Sequence, residues 1–336
     1  MSEARPLGLR KPAGWSQTDS PFHEGEQRVQ ARIGVRERVE HMGRNIMRDF
    51  LSTEQREFFE DLPFLVIGST DTAGALWASL LSGEPGFVVA SARGLRVLAQ
   101  PLPADPLAGN LLAGAPLGLL GIELVTRRRN RANGHVACVG AFGFELAIEQ
   151  SFGNCKQYIQ ARAGSFAAPE ARTAPSLEGA ALSADALRLL ARTDTTFIAT
   201  SSRTPSAGGA EGVDVSHRGG RPGFIRAQQT ERGTRLTLPD FYGNFMFNSF
   251  GNLEVNPHAG LLALDFESGS VLSLTGKARV IWDGPEVESF EGAERLLELE
   301  VTAGWLWRGI LLGWSQAEQS PQLRGTGTWN VTGSAE

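Results

Sequence analysis

Lysine is nearly absent from this chain. Only Lys11, Lys156 and Lys277 occur, so the other 29 of its 32 basic residues are arginine. There are two cysteines, Cys138 and Cys155, too few for a disulfide framework or a four-cysteine zinc site. The five histidines, His23, His41, His135, His217 and His258, are scattered, with no HExxH pattern and no Ser-His-Asp grouping in sequence. No apolar run reaches the roughly 18 residues of a membrane helix, and the N-terminus lacks the apolar core of a signal peptide. The net charge of −5 leaves no global positive field for nucleic acid or an anionic membrane. Together these absences predict a cytoplasmic protein with neither partner.

What is present is turn chemistry. Forty glycines and 17 prolines without a Gly-X-Y period point to many short strands. Residues 24–50 carry Val29, Ile33, Val39, Met42, Ile46 and Phe50 on one stripe and predict an amphipathic helix. Residues 53–60 predict a short helix capped by Ser52 or Thr53. From Leu62 the period shortens. Strand segments are expected at 64–69, 75–80, 86–90, 95–100, 117–125, 135–141 and 144–150, the spacing of an antiparallel barrel or sandwich. Residues 163–182 read as a linker, and 183–192 as a helix opening the second half.

The second half repeats the first. TTFIATSS (195–202) echoes PFLVIGST (63–70), and Pro85-Gly86-Phe87 returns as Pro222-Gly223-Phe224. Gly109-Asn110-Leu111-Leu112 is read as returning at Gly243-Asn244-Phe245-Met246, and the Gly118–Leu124 strand at Gly260–Phe266. The last three offsets are 137, 134 and 142 residues, so the order holds with small insertions. A tandem pair of barrels imitates a homodimer within one chain, packed about a pseudo-twofold axis. The expected divisions are an N-terminal arm with helices (1–61), a first repeat (62–162), a linker and short helix (163–192) and a second repeat with a C-terminal extension (193–336).

The repeats differ where chemistry would reside. ALWASLLSGEPGF in the first becomes GVDVSHRGGRPGF in the second. There Ser216, His217, Arg218, Gly219 and Gly220 offer a hydroxyl, a guanidinium and approachable backbone amides to a phosphate. The plainer use of such a segment is a solvated turn. Asn244, Asn248, Asn252 and Asn256 recur every four residues, which on a helix would align their amides. In the first half, Arg127, Arg128, Arg129, Asn130 and Arg131 form the densest basic cluster, placed at a hairpin end. Ser151, Asn154, Cys155, Tyr158 and Gln160 follow a strand in an unusual polar-aromatic mixture. Cys155 as a nucleophile lacks a nearby histidine. Trp305 and Trp307 would share one strand face and, with Trp314, could wall a ring-shaped ligand; core packing is the commoner use. The segment FHEGE (22–26) suggests no mechanism.

The segments DVSHRGGRPGF (214–224), LPDFYGNFMFNSFGNLEVNPHAGLLALDF (238–266) and LTGKARVIW (274–282) resemble the pyridoxamine 5'-phosphate oxidase-like superfamily of FMN-binding split barrels. TRRRNRANGHV (126–136) and QSFGNCKQYIQ (150–160) resemble the segments such proteins place across the dimer interface. The likeness covers most of residues 62–283. It implies a mainly β (α+β) chain of two tandem split β-barrels forming an intrachain pseudo-dimer, with FMN between them. Ser216 and Arg218 would bind the phosphate, and Gly219 and Gly220 would shape the turn. His217 could donate to the phosphate or act as a proton shuttle, although a turn histidine is more often neither. Asn244 and Asn248 would sit near the ribityl chain or ring. Arg129, Asn130 and Arg131 would face the flavin, with Ser151, Asn154, Tyr158 and Gln160 closing the other side. The Arg-x-x-Leu-Lys strand and the C-terminal Arg/His pattern of true pyridoxamine phosphate oxidases are absent. The resemblance therefore implies flavin binding rather than that substrate.

The leading expectation is an FMN-dependent oxidoreductase acting on a small molecule or a redox partner protein, as a pseudo-dimeric monomer or a homodimer. Competing readings are a non-catalytic flavin carrier or sensor, and a split barrel binding heme or a deazaflavin, with His217 or Tyr158 as an axial heme ligand.

Overall fold

The computed structural model describes residues 14–168, 174–202 and 209–329. Most of the expected N-terminal arm, residues 1–13, lies outside them, as do 169–173 of the expected linker. Three helices come first: α1 (Glu24–Arg32), α2 (Arg36–Ile46) and α3 (Thr53–Glu60). The first repeat follows as β1 (Phe64–Thr70), β2 (Leu76–Ser82), β3 (Val88–Ala90), β4 (Gly94–Val97), α4 (Leu107–Asn110), β5 (Pro116–Glu123), β6 (Arg128–Gly140) and β7 (Gly143–Gly153). Between the repeats lie β8 (Ser165–Phe166), β9 (Ser176–Glu178) and α5 (Ala184–Arg192). The second repeat runs β10 (Thr195–Ser201), β11 (Val213–Gly219), β12 (Arg226–Thr230), β13 (Gly233–Asp240), α6 (Asn248–Val255), β14 (His258–Asp265), β15 (Ser270–Ile281), α7 (Pro285–Glu288), β16 (Arg295–Trp307) and β17 (Leu311–Leu312). Among the described residues no helix is long and apolar enough to cross a membrane.

The helix expected across 24–50 is two helices. Gly34, at φ +72°, takes the left-handed position after α1. Its amide donates to Ala31 O and that of Val35 to Gln30 O, the pair of bonds that terminates a helix. Helix α3 is capped by Ser52, whose hydroxyl accepts from the Gln55 amide.

The chain is mainly β, a tandem of split barrels. The first sheet has the order β2-β1-β5-β6-β7-β4-β3 and the second β11-β10-β14-β15-β16-β13-β12. Substituting each strand by its counterpart turns one order into the other. The pairing slips at the same place in both, at Asn133/Gly134 and at Thr275/Gly276. A Cβ on Gly134 would lie 1.8 Å from Ala147 O, and one on Gly276 2.1 Å from Glu300 O. Only glycine fits these bulges. The register also corrects the repeat alignment. Gly109-Asn110 corresponds to Gly251-Asn252, not to Gly243-Asn244. Asn110 Nδ2 donates to Ser69 Oγ at 2.9 Å, and Asn252 Nδ2 to the equivalent Thr200 Oγ1 at 3.1 Å. GNLLAGAPLGLL and GNLEVNPHAGLL then align at one offset of 142 residues without a gap.

Each barrel has its own core, and a third core lies between them. Leu65 and Ile67 of β1 face the first barrel interior, whereas Phe64 and Val66 face the second repeat. Likewise Ile198 of β10 points into its barrel, and Phe197 and Ala199 point out. This two-sided burial explains why these strands read as continuous apolar runs. Gly68 and its counterpart Ala199 meet, a Cβ on the glycine falling 3.2 Å from that of Ala199, which marks the pseudo-twofold axis. On either side, a Cβ on Gly118 would lie 2.4 Å from Val213 O, and one on Gly260 2.7 Å from Leu76 O. These two glycines hold equivalent positions and let β5 approach β11 and β14 approach β2 backbone to backbone.

Gly118→Ala and Gly260→Ala should therefore each cost about 1–3 kcal/mol by forcing the repeats apart. Gly109→Ala, with open space at its Cβ, should change stability by less than about 0.5 kcal/mol. Urea unfolding of the three variants checks this; equal losses would contradict the close-approach account.

Candidate functional site

The start of β6 and the end of β11 come together where the two barrels meet. The basic cluster expected at a hairpin end is partly strand, because Arg128–His135 pairs in register with β5. Alternation puts Arg129 and Arg131 on the face toward the second repeat and turns Asn130 away. Around them gather the 154–158 segment after β7, the 241–247 loop, the first turn of α6, and Asp240 and Arg295. They enclose a cleft of about 120 Å³. That is below the roughly 300 Å³ of small-molecule pockets, so a larger ligand would lie partly in the mouth.

The arginines of the cleft are held differently. Arg131, 2% exposed, donates to Asp214 Oδ1 at 2.9 Å, to Val215 O at 2.6 Å and to Ser216 Oγ at 2.6 Å. Its guanidinium lies 5.1 Å from the Phe152 ring centroid. Arg218 pairs with Asp240 and lies 4.9 Å over the Phe250 ring. Arg295 pairs with Glu294 and lies 3.5 Å from Asp240. Arg129 is half-buried and donates Nε–H to the Cys155 carbonyl, but it has no ion pair with a carboxylate among the described residues. Burial pushes its pKa down to about 10; nearby Cys155 opposes this, and repulsion from Arg131 and Arg218 adds to it. The cleft thus keeps an unneutralised cation where charge is costly to bury.

His217 is 6% exposed and lines the cleft, yet neither ring nitrogen has a hydrogen-bond partner among the described residues. Its ring meets Phe197 edge-on at 5.5 Å. Burial first, then Arg129 and Arg218, holds its pKa well below the usual imidazole range, so the ring is neutral. Asn154 Oδ1 and Ser249 Oγ are also buried without partners among the described residues. Aromatic rings wall the rest: Tyr158 lies 5.0 Å from Phe241, and Tyr242 meets Phe245 at 4.9 Å. Tyr158, Phe245 and Phe247 all have φ near +60°, strained for residues with side chains. Gly219 makes room for one of them, since a Cβ there would lie 2.0 Å from Tyr158 O.

Of the residues expected at the site, Arg129, Arg131, Asn154, Tyr158, Ser216, His217, Arg218, Gly219, Asn244 and Asn248 line the cleft. Four lie outside it. Asn130 faces Gly153; Ser151 donates to Phe50 O at 2.6 Å; Gln160 accepts from Ser320 N at 2.8 Å; Gly220 packs on Phe224. The four-asparagine helix is not formed. Asn244 accepts the Met246 amide in a turn, Asn248 and Asn252 lie on α6, and Asn256 ends it. Asp214, Asp240, Arg295 and the phenylalanines of 241–250 had no assigned role, although all but Arg295 lie within the motifs quoted for the second repeat. Glu26 and His23 of the FHEGE segment were also missed; they stand directly behind the cleft.

The equivalent position on the other side of the axis is closed. Strand register places Val271 where the first repeat has Arg129, Ser273 for Arg131, and Leu80 and Leu81 for His217 and Arg218. Trp307 stands for Asn154 and fills the space, 1% exposed, its indole N–H donating to Pro103 O at 2.8 Å. Ser273 Oγ donates to Ala78 O, the counterpart of the Val215 carbonyl bound by Arg131. Trp305 and Trp307 thus pack in the inter-barrel core rather than walling a ligand, and Trp314 packs on Phe166 and Phe266.

No protein-family model matches the sequence, and no curated protein matches it. Among solved structures the chain is similar to tagged HupZ of Group A Streptococcus, with 11% identity and a TM-score of 0.29 over 39% of this chain and 99% of that one. It is also similar to a Lactobacillus delbrueckii protein provisionally named a pyridoxamine 5'-phosphate oxidase, with 12% identity and a TM-score of 0.29 over 39% of this chain and 98% of that one.

The neutral state of His217 is open to direct measurement. In the ligand-free protein its ring should stay unprotonated as pH falls through 6.5, where an exposed histidine takes up its proton. Imidazole NMR shifts, assigned with His217→Gln, report this. Titration at the ordinary value would contradict the desolvated setting.

Proposed function

We propose that the cleft binds FMN and that the protein is an FMN-dependent oxidoreductase with one cofactor per chain. The observation that carries this reading is His217: a buried, neutral imidazole with both nitrogens unpartnered, beside an arginine that lacks a carboxylate. Buried polar atoms are almost always bonded, so such a pair calls for an anionic ligand with acceptor oxygens. Arg129, His217 and the Ser216 hydroxyl would hold the phosphate. Tyr158, Phe241 and Phe247 would pack along the ring system, with Asn154 and Ser249 supplying polar contacts. The sequence resemblance of 214–224 and 238–266 to FMN-binding split barrels supports the same choice. When bound, FMN supplies the hydride and electron chemistry. The chain supplies position, a water-poor wall of rings and positive charge that favours an anionic reduced ring.

Heme is the second reading, because the free nitrogens of His217 suit an iron ligand. A metal-bound histidine, however, usually donates its other N–H to a carboxylate or carbonyl, and His217 has no such partner among the described residues.

An absorption spectrum of the protein as purified and after incubation with FMN, followed by acid release, separates these readings. The expected result is a flavin spectrum and about one FMN per chain. A Soret band would favour heme, and two FMN per chain would contradict the closed counterpart. Arg129→Ala should weaken FMN binding about tenfold or more, the worth of a hydrogen bond to a charged group. Arg218→Ala should also weaken it, because it removes positive charge from the cleft and leaves Asp240 without this partner. Leu81→Ala, in the core at the position equivalent to Arg218, should cost about 2–5 kcal/mol of stability and leave FMN affinity unchanged.

A further inference from the structure

Helix α1 crosses α6 with the two backbones in contact. A Cβ on Gly25 would lie 2.1 Å from Gly251 O, and one on Gly251 would lie 2.4 Å from Glu26 Cγ. Glu26, 2% exposed, sits at this crossing. Its Oε2 accepts the His23 amide at 2.9 Å, and its Oε1 accepts from Asn248 Nδ2. Asn248 lines the cleft. A second path starts one residue cap away. His23 Nε2 donates to Asn252 Oδ1 at 2.8 Å, and Asn252 Nδ2 donates to Asp214 Oδ2 at 2.9 Å. Asp214 holds Arg131, which holds Ser216. One turn of α1 is therefore bonded to two walls of the cleft. On the other side of the axis, Gly109 holds the position of Gly251 and nothing lies within 4 Å of its Cβ. The helix thus backs the open cleft and not the filled one.

We propose that Glu26 is a positioning residue for the cleft, which binds its ligand tightly when this carboxyl carries a proton and loosely when it is ionised. The role rests on the FMN reading above. The charged and titratable groups facing Glu26 are His23 of its own cap, Asp214 of β11 and Arg131 of β6; α6 presents only the amides of Asn248 and Asn252. Burial raises the Glu26 pKa to about 7, with His23 opposing the rise and Asp214 adding to it. The two accepted bonds favour the ionised carboxylate but do not outweigh burial. Below pH 7 the docked helix therefore holds the proton, which Oε1 donates to the Asn248 amide oxygen with that amide turned over, and it loses the proton as pH rises. An ionised Glu26 beside Asp214 then sets two carboxylates against one arginine. The repulsion loosens the crossing and, through Asn248 and Arg131, both cleft walls.

The test is FMN affinity by fluorescence quenching at pH 6 and pH 8 for wild type, Glu26→Gln and Glu26→Ala. Glutamine imitates the protonated acid, and with the Asn248 amide turned over it keeps both bonds. FMN's own phosphate titrates near pH 6 in all three proteins, so the difference between wild type and E26Q is the readout. Wild-type affinity should fall about tenfold more than that of E26Q between the two pH values, the effect of one proton lost across the unit above a pKa near 7. E26Q should match wild type at pH 6, and E26A should bind weakly at both. Equal pH dependence in wild type and E26Q overturns the role of Glu26 and leaves the cofactor reading standing. Failure of every variant to bind FMN overturns both.

Discussion

The molecule depends on one contact, the back-to-back packing of β1, β2 and β5 against β10, β11 and β14. It buries the outer faces of strands whose inner faces already line a barrel. At about 25 cal/mol per Å² of apolar surface buried, this apolar layer between two sheets holds the repeats together. Gly118 and Gly260 set its closeness, since each stands where a side chain would strike the opposing backbone. The ends of β6 and β11 meet only because the sheets are held at that distance, and the cleft is the space left at the rim.

Duplication within one chain releases the two rims from being identical. One is closed with leucine, valine and Trp307; the other keeps arginines, acids and an unpartnered histidine. Burying those arginines is tolerated because Asp214, Asp240 and Glu294 stand against three of them. A buried pair of this kind contributes little net stability, since desolvation offsets attraction. What it provides is a fixed arrangement in which, among the described residues, Arg129 is the cleft arginine without a carboxylate partner. The strained backbone at Tyr158, Phe245 and Phe247 belongs to the same rim, and the rest of the fold must hold it in place.

Much of this was legible in the residues. Seven strand segments of the first half, the short helices at 53–60 and 183–192, the repeat and the polar divergence at Ser216–Gly219 all follow from local pattern. The errors were equally local in origin. Gly243-Asn244 was matched to Gly109-Asn110, although Gly251-Asn252 aligns without a gap. Arg128–Arg131 resembled a solvated hairpin end because arginine is a poor marker of a strand; its pairing with β5 decides the matter. Ser151 and Gln160 were grouped with Asn154 and Tyr158 by proximity in sequence. Their partners, Phe50 and Ser320, are 101 and 160 residues away.

The sequence by itself determined the mainly β character, the tandem repeat and the polar divergence between its halves. Those properties reside in periodicity, turn residues and composition, which act over a few neighbours. Tertiary structure decided which polar residues share a cleft, which arginine lacks an acid, and that FHEGE stands behind Asn248 and Asp214. The bonds that join the two repeats at the cleft, and that tie FHEGE to it, link residues 83 and 222 positions apart. Such relations depend on sheet register and on the distance between the barrels, and no local pattern of residues encodes either.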